Sequence, residues 1–354
     1  MLDSLVIAAG VLTILTVFLD AAMTTLTVST AAGPLTSHVL PTMWRVLLRI
    51  AGQGRRRALL SPAGAVLLLT TVLIWVAGLW GGWWLIFLGA DTVEQSTTGR
   101  PAGFWDAGYF SGMTVITLGT GDFVADSTGW RVLSAVASFT GLFLVTLAIT
   151  YLVSVLSAVV ARRALAIHVR GLGLSAEDMV TRGWAGSGYS PMFEQQLIAL
   201  TPIVATGAGQ HLAYPVLHYF HATKPALSAP LALASLSDAL LLAGELTAPS
   251  ARPDPASVKA LTYAMDQYLD AAGEVAWLPE QPAPPPPSTR GLEEHGIPLA
   301  DAREREMAIA HATRRRTSLH RLVAGDGWTW DPAEKDETPD PKTRGQSQRA
   351  RGGS

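Results

Sequence analysis

Three long apolar runs, Leu5–Val28, Ala63–Ala90 and Arg131–Val160, constrain this chain more than any other feature. A helix needs roughly 20 mainly apolar residues to cross a bilayer, and each run supplies them. The first run is too long for the apolar part of a signal peptide. It follows no basic leader (Asp3 is the only early charge) and has no convincing cleavage site, so it reads as a retained spanning helix with Asp20 as its one internal charge. Only 15% of the chain is charged, against about 25% in a water-soluble globular chain, and the deficit is concentrated in residues 1–165. The chain therefore divides into a membrane half and an aqueous half.

The loop charges set an expected orientation. Residues 31–62 carry Arg45, Arg49, Arg55, Arg56 and Arg57 and no acid, and Arg162, Arg163 and Arg170 follow the third run. Residues 91–127 carry Asp91, Glu94, Asp106, Asp122 and Asp126 against Arg100 alone. Positive loops stay in the cytoplasm, so the N-terminus and residues 91–127 are expected outside and the C-terminal half inside, in a multi-pass protein of the plasma membrane. Trp80, Trp83, Trp84 and Trp130 fit an aromatic belt at the outer interface. Val39–Ile50, with Trp44, reads either as an amphipathic helix along the inner surface or as a plain connector.

Between the second and third runs lies Phe104–Ile116, moderately apolar and too short to cross a bilayer and return, which suits a re-entrant helix. It leads into Thr117-Leu118-Gly119-Thr120-Gly121-Asp122. Irregular backbone at membrane depth survives only where it is buried in protein or lines a water-filled path. A bare K⁺ needs a cage of oxygens in place of its hydration shell, and consecutive backbone carbonyls from four chains supply one. Pointing successive carbonyls the same way requires every second residue to take φ > 0, which glycine does at little steric cost. Gly119 and Gly121 fit that requirement. Thr117 adds a hydroxyl at the inner mouth and Asp122 a carboxylate at the outer one, so the K⁺ positions fall at Thr117, Leu118, Gly119 and Thr120.

These residues resemble the pore module of potassium channels: pore helix, Thr-x-Gly-x-Gly-Asp filter, inner helix. The resemblance covers the second and third runs with the loop between them; it does not extend to the first run or the C-terminal half. It implies a homotetramer in a lipid bilayer conducting K⁺ as the permeant ion, with no organic cofactor. It further implies an inner-helix bend at Gly141 and a pore lining of Leu142, Val145, Ile149 and Val153, a set that serves equally well for plain helix packing. Two positions depart from the family. Thr120 stands where an aromatic residue normally braces the filter, which leaves the preference for K⁺ over Na⁺ open. Met113 stands where a pore-helix carboxylate often bonds to the Asp after the filter, so Asp122 needs another partner.

The expected fold is an all-α membrane protein with three transmembrane helices, a re-entrant pore helix and filter loop, and a helical cytoplasmic domain. By residue number it runs 1–30 first span, 31–62 basic linker, 63–160 pore domain, 161–278 helical domain, 279–298 Pro-rich linker, 299–325 Arg-rich helix and 326–354 disordered tail. Cytoplasmic helical patterns fall near 175–183, 192–205, 211–222, 228–246 and 256–275. The four consecutive prolines within Gln281–Ser288 read as a stiff linker, and the Arg-rich helix as a solvated face, a lipid contact or a bundle across subunits. His211, His218 and His221 share a helical spacing, but Pro215 interrupts it and no carboxylate lies near, so core or surface histidines are expected rather than a metal site. Asp20 is expected to bond to neighbours such as Thr16 or Thr24. A net charge of −2 gives no reason for nucleic acid, and the absence of cysteine excludes disulfides and thiolate chemistry. With no nucleophile–base set, metal constellation or phosphate loop, an enzyme is not expected. The frequent Ala, Gly and Arg hint at a bacterial gene. A poorly selective monovalent cation channel, or a membrane-anchored signalling or scaffold protein, stays open beside the leading reading of a potassium channel.

Overall fold

The computed structural model describes residues 2–27, 33–51, 62–275 and 280–330. Arg55, Arg56, Arg57, the side chain of Arg49 and the tail from Asp331 lie outside the described residues. The protein is an all-α membrane protein with one short antiparallel ribbon. Its helices are α1 (Leu2–Leu26), α2 (Thr36–Ala51), α3 (Ala63–Ala90), α4 (Phe104–Val115), α5 (Thr128–Leu172), α6 (Ala176–Gly183), α7 (Pro191–Ala213), α8 (Ala229–Leu241), α9 (Pro255–Val275), α10 (Arg290–Glu294) and α11 (Ala302–Gly325). Strands β1 (Val93–Gln95) and β2 (Phe123–Ala125) flank α4 in sequence and pair with each other.

The chain forms two compact units. The first comprises Met1–Arg163, Ile203–Thr223 and Asp266–Trp277; the second comprises Ala164–Pro202, Lys224–Met265 and Leu278–Ser354. This division cuts across the linear partition expected from the sequence, because two stretches of the aqueous half belong with the membrane helices.

In the first unit α1 lies along α3. The two backbones approach so closely that a Cβ at Gly82 would stand 2.6 Å from Ile14 Cγ1, and one at Gly10 would stand 2.6 Å from the Gly82 oxygen. Small residues at such a seam replace the missing hydrophobic drive between helices in lipid with close van der Waals contact. Asp20 completes the join. It is fully buried and accepts hydrogen bonds from Leu35 N (2.7 Å), Thr36 N (3.0 Å), Thr36 Oγ1 (2.6 Å) and Trp75 Nε1 (2.7 Å). One carboxylate thereby caps α2, whose first amides have no helical acceptor, and ties α1 to α3. Of its expected partners Thr24 is near, but its hydroxyl accepts from Gly33 N (3.1 Å), and Thr16 bonds to Leu12 O (2.8 Å). The helix expected over Val39–Ile50 is present as α2, with Leu40 buried and Met43, Trp44 and Leu47 packed on the core.

In the second unit α8 and α11 pack together. Ala229–Leu246 is apolar enough for a fourth span by length and composition, but 78% of it is buried inside the protein, against 22–39% for α1, α3 and α5. A lipid-facing span leaves its apolar sides bare; α8 does not, and it serves as a core helix. Its Asp238 holds Arg316 of α11 through two bonds (2.7 and 3.1 Å), both side chains buried. Arg316 also donates to the Pro284 and Pro285 oxygens (3.2 and 2.6 Å), His320 Nδ1 donates to Pro282 O (2.8 Å), and the Trp330 ring lies 5.6 Å from the guanidinium. The proline run is therefore docked on α11 rather than a free linker. The Arg-rich helix likewise turns one arginine inward rather than presenting only a solvated face.

Asp20→Ala should destabilise the protein by on the order of 3 kcal/mol, because an unsatisfied buried donor costs about 1–3 kcal/mol and several are left. The measurement is the thermal midpoint of detergent-solubilised protein, expected to fall by several degrees.

Candidate ion-conducting site

Asp106 in the first turn of α4 accepts from Gly103 N (3.1 Å) and pairs with Arg100 (3.4 Å), which starts the helix where Pro101-Ala102-Gly103 leaves the ribbon. Two tryptophans of α3 then seat it, and a third reaches α5. Trp80 Nε1 donates to Gly108 O (2.9 Å), Trp84 Nε1 donates to Phe104 O (2.9 Å), and Trp83, 5% exposed, donates to Thr140 Oγ1 on α5 (3.0 Å). Each of these indoles, which the sequence pattern places in an interfacial belt, also donates its N–H to an acceptor within the protein.

The chain unwinds from α4 in steps. Ile116 N bonds to Gly112 O (3.0 Å), Thr117 N to Thr114 O (3.0 Å) and Leu118 N to Met113 O (2.9 Å). Beyond this the backbone alternates: Thr117 has φ 61°, Gly119 φ 56° and Gly121 φ 77°, whereas Leu118 and Thr120 are not at positive φ. That is the alternation needed to turn successive carbonyls to one side. Thr117 has a Cβ, so its left-handed conformation costs about 1–2 kcal/mol; strain of this kind collects at functional sites. The carbonyls of Thr117, Leu118, Gly119, Thr120 and Gly121 accept no hydrogen bond among the described residues, and all five residues are exposed in the single chain.

The segment is held at both ends. Asp122 O accepts from Ser96 N (3.0 Å) and Ser96 Oγ (3.2 Å), and the chain then enters the ribbon, Phe123 opposite Gln95 and Ala125 opposite Val93. At the other end α5 crosses the end of α4. Ser138 Oγ donates to Thr114 O (2.9 Å), and a Cβ at Gly141 would overlap the Val115 carbonyl oxygen. Gly141 thus has a packing role, close approach of two helices, where the resemblance implied a bend point.

Tyr109 supplies what positions 113 and 120 lack. Its hydroxyl lies 3.1 Å from Thr120 Oγ1 and donates to Asp122 Oδ2 at 3.2 Å, and its ring meets Phe123 edge-on at 6.2 Å. Tyr109 is one helical turn before Met113 and shares its face; Met113 contributes only its backbone carbonyl. The aromatic ring beside Thr120 comes from α4 instead of from the Thr117–Gly121 segment itself. An aromatic one turn before the expected carboxylate was the sequence signal for it.

Leu142, Val145, Ile149 and Val153 are 44–59% exposed on α5, opposite the buried Leu144, Ala148, Tyr151 and Val155. Phe139, Leu156 and Val160 are also exposed, so the uncovered face is broader than the expected stripe. His211, His218 and His221 belong to no group that could hold a metal among the described residues. The His211 and His218 rings pack edge-on at 5.1 Å, and burial together with the charge of Arg162 lowers His211 from its ordinary 6.5 to about 4.

A family model described as an ion channel matches residues 65–158, from α3 through the exposed face of α5. The chain is also 30% identical over 330 residues to the uncharacterized membrane protein YdjJ of Bacillus subtilis (strain 168), an alignment covering 93% of this chain and 96% of that protein. The chain belongs to the family of that membrane protein. No solved structure matches. Because the alignment covers 93% of this chain, the likeness extends beyond residues 65–158 into the C-terminal half.

Gly141→Ala should displace the end of α4 and abolish channel activity while α1 and α3 stay packed. Loss of ion flux from reconstituted liposomes, with expression and detergent extraction retained, is the expected result.

Proposed function

We propose that four copies of this chain assemble around Thr117–Gly121 into a potassium-preferring channel, with Leu142, Val145, Ile149 and Val153 lining the path below. The alternating φ angles at 117, 119 and 121 carry this reading. They leave a run of carbonyls with no protein partner, and a dehydrated cation on a four-fold axis is the chemistry that needs such a run. The ion-channel family match over the same residues supports it. Exposure of both the filter and the apolar face of α5 is what a subunit separated from its neighbours would leave bare. Tyr109 acts as a positioning residue: its hydroxyl fixes Thr120 and Asp122, and so the diameter of the carbonyl ring, in place of the usual filter aromatic.

The membrane orientation follows the loop charges, with α4 and the ribbon outside and the C-terminal half in the cytoplasm of the cell that makes it. The chain contains no cysteine, so single cysteines report without background. Those at Ser4 and Ser96 should react with an impermeant reagent in intact cells, and one at Ser288 should not; the reverse pattern would invert the topology.

Bilayer recording with K⁺ opposed to Na⁺ tests the function. Gly119→Ala and Gly121→Ala should abolish conduction, since open space surrounds both positions and the cost of about 1 kcal/mol or more per chain is conformational. Tyr109→Phe should still conduct but lose discrimination, moving the reversal potential away from the K⁺ equilibrium value. Wild-type protein that fails to discriminate would make the channel a nonselective one, and glycine variants that conduct normally would remove this segment from the ion path.

A further inference from the structure

The far end of α5 from the filter is fastened to a segment that sequence order assigns to the aqueous half. Ile203–Thr223, comprising the end of α7 and the 3₁₀ turn Pro215–Tyr219, packs with the membrane helices. Val216 and Leu217 are each 1% exposed and share one core with Leu67, Trp75, Val155 and Val159. Arg162 of α5, three helical turns beyond Tyr151 on the same face, donates through Nη1 to Leu217 O (2.9 Å) and Phe220 O (3.3 Å).

Three imidazoles are built into this joint. His211 Nδ1 donates to Gly207 O (3.0 Å), and its Nε2 lies 3.4 Å from Tyr268 OH. The His218 ring packs 5.1 Å from it, with a buried Nε2 that has no hydrogen-bond partner. His221 stacks on Trp44 of α2 at 5.1 Å and 16°. The ionisable groups that act on the pair include Arg162 from α5, His221 from the segment itself and Tyr268 from α9, whose Asp266 is half-buried and Asp270 exposed. α3 carries no ionisable side chain. A second proton on His211 or His218 would set a buried cation beside Arg162.

We propose that Ile203–Thr223 is a proton-released latch on the end of the pore-lining helix: protons taken up by His211 and His218 undock the segment and free α5 to move. The direction follows from linkage. Burial first, and then the charge of Arg162, lower His211 to about 4; burial, His211, Arg162 and His221 hold His218 well below its ordinary 6.5. The docked segment refuses protons that the released segment accepts. Docking is therefore complete above about pH 6.5 and is lost as pH falls toward 4. The consequence for conduction rests on the channel reading; the release itself does not.

Hydrogen exchange on the full-length protein in detergent tests the release. At pH 5, amides of residues 203–223 should exchange at least tenfold faster than at pH 7.5 after correction for the chemical rate, while the buried amides of α8 stay protected. Flux from liposomes at pH 5 on both faces should rise several-fold over pH 7.5. The double variant His211→Gln, His218→Leu should keep the segment protected and flatten the pH response. Arg162→Gln should loosen the segment and raise flux already at pH 7.5. Unchanged exchange at pH 5 in the wild type, an unaltered pH response in the double variant, or release without any change in flux would each overturn the latch. Wild-type protein with no flux at any pH would instead overturn the channel reading, and the exchange result would still decide the latch.

Discussion

Inside a bilayer no water is present to satisfy a peptide group, so every backbone N–H and C=O in the hydrocarbon must find a partner within the protein. α1, α3 and α5 meet that demand internally. The stretch Thr117–Gly121 does not: its carbonyls accept no hydrogen bond among the described residues. Most of the surrounding structure serves to hold this exception in place. The end of α4 is pinned by Ser138 and crowded by Gly141, Asp122 is held by Ser96 and the ribbon, and Tyr109 spans the side. The strain at Thr117 persists because contacts at both ends of the segment over-determine the backbone between them.

The supports are themselves supported. The indoles of Trp80 and Trp84 bond to carbonyls of α4, and α3, which carries them, is fixed to α1 through the glycine seam and to α2 through Asp20 and Trp75. Buried polar bonds of this kind are strong where the dielectric is low, and leaving one partner unpaired is correspondingly costly. A chain of them from Asp20 through Trp75 and α3 to α4 gives the first helix a structural reason to be there. At the other end of α5 a comparable polar joint, Arg162 on the Leu217 and Phe220 carbonyls, encloses imidazoles whose proton affinity is set by burial.

Much of the fold was legible because it depends on local rules. The length of an apolar run marks a span, and α3 begins and ends where the run Ala63–Ala90 does. The pore helix, the positive φ at Gly119 and Gly121, and the pairing of α8 with its apolar pattern follow from periodicity and from the stereochemistry of glycine. What stayed hidden shares a cause. Composition places Trp80, Trp83 and Trp84 at an interface but does not say which oxygen each indole reaches. Asp122 needs a partner other than Met113, and which one it finds was not legible: Tyr109 holds the role because a longer side chain one turn away covers the same spot. The proline run looked like a spacer because its stiffness is local, whereas Arg316 and His320, which dock it, lie far along the chain.

The sequence by itself determined that this protein spans a membrane, that it is helical, and where a strand of alternating backbone handedness interrupts the helices. Those are properties of short windows, governed by hydrophobic length and φ/ψ sterics. Tertiary structure alone decided which side chains support that strand, and which part of the aqueous half returns to the membrane helices. It paired Tyr109 with Thr120 and Asp122, brought Gly141 against Val115, gathered Leu35, Thr36 and Trp75 on Asp20, and laid Leu217 on Arg162. Such partnerships depend on how helices cross and how deeply a group is buried, and helix crossing is set by many packed residues at once.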